Sequence, residues 1–484
     1  MTMRLHDLLR DLTTSPVDPA LVVDDLVLDS RQARPGSVFV ALPGERTHGL
    51  AHAREALARG AVAVLHDPAD TPDAELARHC IAVPSMKEQL ASLAARLWGR
   101  PMDRLELLAV TGTNGKSSVA WLLARALHGA MLGTLGAGAP ERVTPARHTT
   151  PDLLSLYRTL HELAEQGHAS VVMEASSHAL HQRRLDGLEF VSTIFTTLGR
   201  DHLDYHHSVE AYAEAKARLF FDFPARRRLV NVDDDFGRTL AGRLAGDPGR
   251  IRYALDNAAE AEVRGRIVHA GLDGLALTVQ GFGAMLELKA PLIGRVNAWN
   301  LLIVAAELLA RELPLPEIEA RVAALTPVPG RMQRVDGPNG RAVIIDYAHT
   351  PDALQNALAT LRPLVTGRLI CVFGCGGERD AGKRPEMGRI AEALADRVIL
   401  TNDNPRGEDP ARIIRQIQSG MHAPERATVI PDRFEAICTA IAHSHSGDCV
   451  LVAGKGHERI QDLGSRVIEF SDLDAARQAL EVAA

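Results

Sequence analysis

The sequence predicts an α/β chain divided into three domains, each built around a parallel sheet. Three observations lead there. Short Val/Ile/Leu-rich runs alternate with longer amphipathic segments, the pattern of parallel strands joined by helical crossovers. The 484 residues exceed what one hydrophobic core usually supports. Several apolar runs end in polar, Gly-rich or charged loops, which is where open parallel sheets place their ligands.

Taken in order, the first domain spans 1–101. Its strands are Leu26-Val27-Leu28, Val38 to Leu42, Ala61 to Leu65 and Ile81-Ala82-Val83, and Gly99-Arg100-Pro101 closes it. The second, 102–330, starts a new series with Leu105 to Val110 and continues through Ser170 to Met173, Thr193 to Thr196 and Leu229 to Val232. Pro327-Val328-Pro329-Gly330 breaks regular structure and marks the next boundary. The third, 331–484, carries apolar runs at Ala342 to Ile345, Leu369 to Phe373, Val398 to Leu400 and Val450 to Ala453. The apolar stretch Leu301 to Ala310 contains Glu307 and is about half the length a bilayer requires, so it reads as a buried helix.

Composition excludes several classes. Hydrophobic residues at 46% and charged residues at 24% are those of ordinary folded domains rather than disordered chain. A net charge of -7, with Arg226-Arg227-Arg228 read as a solvated turn, gives no general attraction for nucleic acid. Five scattered cysteines suit a reducing compartment, and Cys371 and Cys375 lack the spacing of a zinc pair. The first ten residues are interrupted by charge and lack a signal peptide's apolar core, so a cytoplasmic location is expected.

The densest chemistry follows the run 105–110. Thr111-Gly112-Thr113-Asn114-Gly115-Lys116-Ser117-Ser118 leads into an apolar helix, so strand, glycine loop, Lys-Ser and helix form a phosphate cradle. Glycines let backbone N–H groups approach phosphates, and the helix N-terminus favours negative charge. Lys116 neutralises phosphate oxygens, and Ser117 can reach Mg²⁺. The spacing Gly-x-x-Gly-Lys-Ser is shorter than the general pattern, with Val110 where that pattern has its first glycine. The expected class is thus α/β with a central P-loop nucleotide-binding parallel sheet and a C-terminal Rossmann-like domain.

Two neighbouring strand ends carry candidate metal ligands, Glu174 before Ala175-Ser176-Ser177-His178 and His202 within Arg200-Asp201-His202-Leu203-Asp204. Magnesium prefers oxygen and keeps water and phosphate in its shell, so a carboxylate beside a triphosphate fits it and a histidine is an unusual addition. After Ser208, a candidate N-cap, Val209, Tyr212, Ala213, Lys216 and Phe220 form one helical stripe. Lys216 on that stripe is either a lysine snorkelling to water or a functional, modified amine.

In the third domain, three strand ends lead into Gly374-Cys375-Gly376-Gly377-Glu378-Arg379-Asp380, Thr401-Asn402-Asp403-Asn404-Pro405-Arg406 and Gly454-Lys455-Gly456-His457-Glu458. Arg379 and Arg406 offer planar donors for carboxylates, whereas Asp403 and Glu458 can hold an ammonium. A zwitterionic, amino-acid-like ligand fits that set.

With these residues assembled, the chain resembles the Mur ligases, from Asp29-Ser30-Arg31 through Gly112 to Lys116, Ser176-Ser177-His178, Asp201-His202-Leu203-Asp204 and Asp403-Asn404-Pro405-Arg406 to Gly454-Lys455-Gly456-His457-Glu458. The resemblance implies a UDP group held through Leu28 and Ser30. It implies that Thr149, Thr150, Ser176, Gln182 and Arg184 contact a muramoyl dipeptide. It places ATP on Gly112 to Ser118 with Asn297 and Arg331 nearby, and makes Lys216 an N6-carboxylysine that joins Ser117, Glu174 and His202 around Mg²⁺. A carbamate would replace a cation that repels the metal with an anionic oxygen ligand. The amino-acid site maps onto Arg379, Asp403, Asn404, Pro405, Arg406, Gly454 and Glu458, with Arg406 reading the distal carboxylate that lysine lacks. His148 and Thr197 stand where the family often has Asn.

The implied activity is ATP-dependent addition of meso-diaminopimelate to UDP-N-acetylmuramoyl-L-alanyl-D-glutamate through an acyl phosphate, with Lys116, Glu174, His202 and Lys216 in the catalytic centre. Cofactor Mg²⁺, small-molecule partners only and a monomer are expected. Three rival readings are a lysine-adding relative, a folylpolyglutamate-synthase-like ligase, and a switch that hydrolyses ATP only to change shape.

Overall fold

The computed structural model describes residues 2–44, 47–145, 148–256, 261–337 and 340–482. The chain divides into two compact units, Met1–Arg252 and Tyr253–Ala484. Both are α/β with parallel sheets, as the alternation of apolar runs and amphipathic segments predicts. Among the described residues no helix is long and apolar enough to cross a membrane.

In the first unit, Asp25–Val27, Ser37–Val40, Ala63–His66 and Cys80–Ala82 form a four-stranded parallel sheet in chain order. A second parallel layer has the order Ala225–Asn231, Phe190–Phe195, Glu106–Thr111, Ser170–Glu174, Ala130–Gly133, with Gly136–Gly138 antiparallel at its edge. The strand before the glycine loop is thus central, flanked by the two strands whose ends carry Glu174 and the His202 loop. Arg158, on the helix Leu153–Glu165, reaches the buried Asp25 at 2.7 Å and ties that helix to the small sheet. The Arg226-Arg227-Arg228 triplet is not a turn: it lies within the strand Ala225–Asn231, where Arg227 bonds Ser192 Oγ and Arg228 pairs with Asp247 at 2.8 Å.

The second unit opens with three antiparallel strands that the apolar runs did not reveal: Val263–Gly271, Gly274–Gly281 and Ala284–Ala290. Their side chains alternate between buried and exposed, with Leu275, Leu277, Val279, Leu286 and Leu288 facing inward, so no run of consecutive apolar residues marks them. The helix Arg295–Ala310 follows and is buried nearly all round, its one internal carboxylate, Glu307, paired with Arg311 at 2.7 Å.

The last sheet has the order Gln333–Asp336, Ala342–Asp346, Cys449–Ala453, Leu369–Phe373, Arg397–Leu400, Thr428–Val429, parallel throughout except for its first strand. Arg433 and Asp472, both fully buried, form a bidentate pair of 2.7 and 2.8 Å beneath its carboxyl edge, and Arg433 also donates to Ala453 O. Removing one partner leaves a buried unpaired charge, so Arg433→Met is expected to lower unfolding free energy by about 3–5 kcal/mol. A denaturant titration reads this, and an unchanged midpoint would contradict the assignment.

The cysteines are free, as their scatter predicts. Burial pushes the Cys371 and Cys375 thiols up to about 12, so both are inert apolar fillers.

Candidate functional site

Strand register assembles the first site, in the Met1–Arg252 unit. Glu174 pairs with Val110, and Phe195 pairs with Thr111, so the glycine loop, the Glu174 carboxylate and the loop after Phe195 leave one sheet edge side by side. The loop backbone is shaped for close approach. Gly112 has φ +147°, and a Cβ there would meet Thr196 Oγ1 at 1.9 Å, whereas Gly115 caps the helix Lys116–Ala126 at φ +87°. Any side chain at Gly112 would drive the two loops apart.

Lys116 Nζ donates to Gly112 O and Thr113 O, both at 2.9 Å. Lys216, which the helical stripe placed among apolar residues, does not reach water. It is 1% exposed, donates to the same Gly112 O at 2.8 Å and lies 4.3 Å from the Tyr212 ring centre. Burial first, then the Lys116 cation, holds its amine well below the usual lysine range. Ser208 caps this helix through Ala211 N, as its residue type predicts.

Glu174 is fully buried, and its carboxylate accepts from Thr134 N at 2.7 Å and Thr134 Oγ1 at 3.3 Å. Thr149 bonds Thr134 Oγ1, and Thr150 donates to Glu174 O at 2.6 Å while accepting from Ser176 N. Arg184 donates to Thr150 O at 2.7 Å and grips Gln182 Oε1 through two nitrogens. Thr149, Thr150, Ser176, Gln182 and Arg184 are therefore one connected network. His148 is exposed, and Thr197 acts through its backbone, its carbonyl accepting from Thr113 N at 2.7 Å, so the departure from Asn leaves that contact intact.

His202 sits at φ +53°, half-exposed, its ring 4.7 Å from that of His178. Among the described residues no three His, Cys, Asp or Glu side chains gather into a metal-binding group. A magnesium ion needs oxygen donors and tolerates phosphate and water as the remainder. Glu174 and the Ser117 hydroxyl supply such donors, an unmodified Lys216 does not, and a carbamate at Lys216 does. The residues fit the metal in that modified form.

In the first sheet, Asp29 caps the single turn Ser30–Gln32 through Arg31 N, and Ser30 Oγ donates to Glu55 at 2.7 Å. Leu28 is half-buried beside it.

The second site lies in the Tyr253–Ala484 unit. Phe373 pairs with Leu400 and Ala453 with Asp346, so the glycine, Asp-Asn-Pro-Arg and Gly-Lys-Gly-His-Glu loops share one carboxyl edge. Asp403 is buried against Gly454, where a Cβ would come within 2.6 Å of its Oδ2, and burial raises its carboxyl above the usual range. Asn404 Nδ2 donates to Glu458 at 2.9 Å, and its Oδ1 accepts from Lys455 Nζ and Asp462 N. Arg406, at φ +50°, lays its guanidinium over the glycine loop and donates to Gly377 O at 2.8 Å, with Pro405 O packed on Gly377. Arg379 is exposed at the rim.

Three residues escaped sequence reasoning. Lys455, fully buried, pairs with Glu458 at 2.9 Å and holds its carboxyl below the usual range despite burial. Arg384 and Glu408 form a bidentate pair, and Arg384 donates to Gly376 O while Glu408 accepts from Glu378 N, so the pair braces the loop under Arg406. The isolated lysine between Gly454 and Gly456 was the one signal available; Arg384 and Glu408 are 24 residues apart and left none.

Arg331 stacks on Tyr347, 4.6 Å from its ring centre, and Tyr347 lies 5.2 Å from His457. Burial, then Arg331, pushes the His457 imidazole down to about 4. Its unfolded pKa is near 6.5, so the unfolded chain binds the proton first and stability is lost as pH falls from about 6.5 towards 4. His457→Gln is expected to flatten that decline, read as unfolding midpoint against pH. Asn297 is buried in the first turn of its helix, donating to Ile293 O and accepting from Asn300.

Family models match along the chain: "Mur ligase family, catalytic domain" over 23–98, "Mur ligase middle domain" over 110–308 and "Mur ligase, glutamate ligase domain" over 330–456. A UDP-N-acetylmuramoyl-L-alanyl-D-glutamate–2,6-diaminopimelate ligase of Alkalilimnicola ehrlichii is 48% identical, with 99% of each chain covered. One of the same name from Pseudomonas aeruginosa is 46% identical over 95% of each. A solved structure of a ligase so named superposes with TM-score 0.70 at 34% identity, covering 100% of this chain and 99% of that one. A likeness this extensive, over nearly the whole of each chain, places the chain in the Mur ligase family.

Proposed function

We propose that the protein is an ATP-dependent ligase that joins meso-diaminopimelate to UDP-N-acetylmuramoyl-L-alanyl-D-glutamate in peptidoglycan precursor synthesis. The observation that carries this is the pairing of a phosphate cradle with a buried amine, Lys216, on one sheet edge, together with a zwitterion-matched loop set on another. The relatives carrying that name at 46–48% identity support the substrates.

The proposed division is 1–101 for the UDP group, 102–330 for ATP and 331–484 for the amino acid, in line with the bounds of the three matched models. Leu28 and Ser30 take the UDP group, and the Thr149–Arg184 network takes the dipeptide. Gly112 to Ser118, with Asn297 and Arg331, take ATP. A cytoplasmic monomer acting in cell-wall growth and division completes the reading.

The γ-carboxylate oxygen of the D-glutamyl residue attacks the γ-phosphorus of ATP, the bond to the β-phosphate oxygen breaks, and ADP leaves. Lys116 neutralises the charge that spreads over the phosphoryl oxygens. Ser117, Glu174, His202 and a carbamylated Lys216 would hold magnesium, which would supply further charge stabilisation. The amine of diaminopimelate then attacks the acyl carbon of the acyl phosphate, phosphate departs, and the amine gives up a proton. Arg379, Asp403, Asn404, Arg406, Gly454 and Glu458 hold that amino acid.

Phosphate release tests ligase against switch. With ATP and Mg²⁺, release is expected only when both the UDP-muramoyl dipeptide and meso-diaminopimelate are present. Sustained release without either acceptor would make the protein an ATP-driven switch.

A further inference from the structure

The dipeptide network described above contains one member from outside its own stretch of chain. The short helix Leu203–His206 is bounded by two non-glycine residues in the left-handed region, His202 at φ +53° and His207 at φ +65°. Such conformations persist only where the surroundings over-determine them. Two contacts do so here. His206 Nε2 meets Ser177 Oγ at 3.0 Å, and Tyr205 places its hydroxyl between Gln182 Nε2, at 3.1 Å, and His181 Nδ1, at 2.9 Å.

The donor and acceptor inventory gives the Tyr205 hydroxyl a directional role. Arg184 has donors only, so its Nε and Nη2 must face Gln182 Oε1, at 2.9 and 2.5 Å. The Gln182 amide nitrogen therefore turns towards Tyr205, whose oxygen accepts from it. The same hydroxyl meets His181 Nδ1 at 2.9 Å, which holds it from the other side. Without the hydroxyl, the amide nitrogen loses that hydrogen bond, and the oxygen that Arg184 grips is held less firmly. The Tyr205 ring is separately held against His178 at 4.2 Å and His206 at 4.9 Å, contacts that a phenylalanine would keep. Tyr205 is half-buried, so its hydroxyl is not needed to fill the core.

We propose that Tyr205 is a positioning residue of the dipeptide subsite. Carried on the loop that bears His202, it sets the orientation of Gln182 and, through it, of Arg184. This rests on the proposed assignment of Gln182 and Arg184 to the muramoyl dipeptide.

The test is steady-state kinetics of the full-length protein bearing Tyr205→Phe, with Gln182→Ala in parallel. Losing one hydrogen bond of this kind is expected to raise KM for the UDP-muramoyl dipeptide about three- to tenfold. KM for ATP, kcat and the thermal midpoint are expected to stay close to wild type. A dipeptide KM unchanged in Tyr205→Phe but raised in Gln182→Ala would overturn the role of Tyr205 and leave the subsite standing. If neither variant changes it, the subsite assignment fails and the inference falls with it. A Tyr205→Phe variant that raises KM for ATP and lowers the thermal midpoint equally would make the hydroxyl a structural brace and also overturn the proposal.

Discussion

Lys216→Ala is expected to lower kcat for ligation about 100- to 1,000-fold, the usual cost of losing one preorganised electrostatic group at a phosphoryl-transfer centre. The chemistry follows from where the amine sits. A lysine 1% exposed, beside a second lysine that uses the same carbonyl, is held towards its neutral form. Only a neutral amine has the lone pair that attacks carbon dioxide. In the proposed modification the N–C bond would form, one proton would leave, and the product would be an anionic carbamate. That change would turn an amine that repels a magnesium ion into an oxygen donor. The alanine variant should regain part of its activity with a small carboxylate such as acetate, which can occupy the vacated volume. Full activity in Lys216→Ala would rule the carbamate role out. A loss that no carboxylate rescues, with a lowered thermal midpoint, would reduce Lys216 to a packing residue.

Arg406→Ala is expected to lower kcat/KM for meso-diaminopimelate roughly 10- to 150-fold, the range for a lost hydrogen bond to a charged group, and to leave the poor use of L-lysine nearly unchanged. Discrimination between the two amino acids then falls by the same factor. The guanidinium is held in place by what lies beneath it. Its donation to Gly377 O aligns the fork, and the Arg384–Glu408 pair anchors that glycine loop from below. The Arg384 guanidinium holds the Glu408 carboxyl down at about 2, so the brace stays ionised throughout the working pH range. Arg406→Lys should behave much like alanine, because an ammonium cannot reproduce a planar two-donor contact. Equal losses for both amino acids would show that Arg406 supports the loop rather than reads the distal carboxylate.

Much of this was legible in the sequence because the relevant signals are local. A parallel strand buried on both faces is a run of apolar residues, and each such run in the central and C-terminal sheets became a strand within a few residues of its expected bounds. The phosphate cradle is contiguous, and Lys216 betrayed itself by standing on an apolar helical stripe. The antiparallel strands from Val263 to Ala290 stayed hidden because one face meets solvent, so apolar residues alternate with polar ones and never run together. The braces were invisible for a different reason. Arg433 and Asp472, Arg384 and Glu408, and Tyr205 and Gln182 meet only through the fold, and in sequence all of them except Gln182 read as ordinary surface residues. Lys455 and Glu458 lie close in sequence, yet full burial of the lysine depends on Asn404 arriving from another loop.

The most direct test of the central claim is the mass of the product formed from UDP-N-acetylmuramoyl-L-alanyl-D-glutamate, ATP and Mg²⁺ when meso-diaminopimelate and L-lysine compete at equal concentration. A product carrying diaminopimelate almost alone is expected, formed with one ADP per amide bond. Equal incorporation of lysine, or ADP release with no amide product, would contradict it.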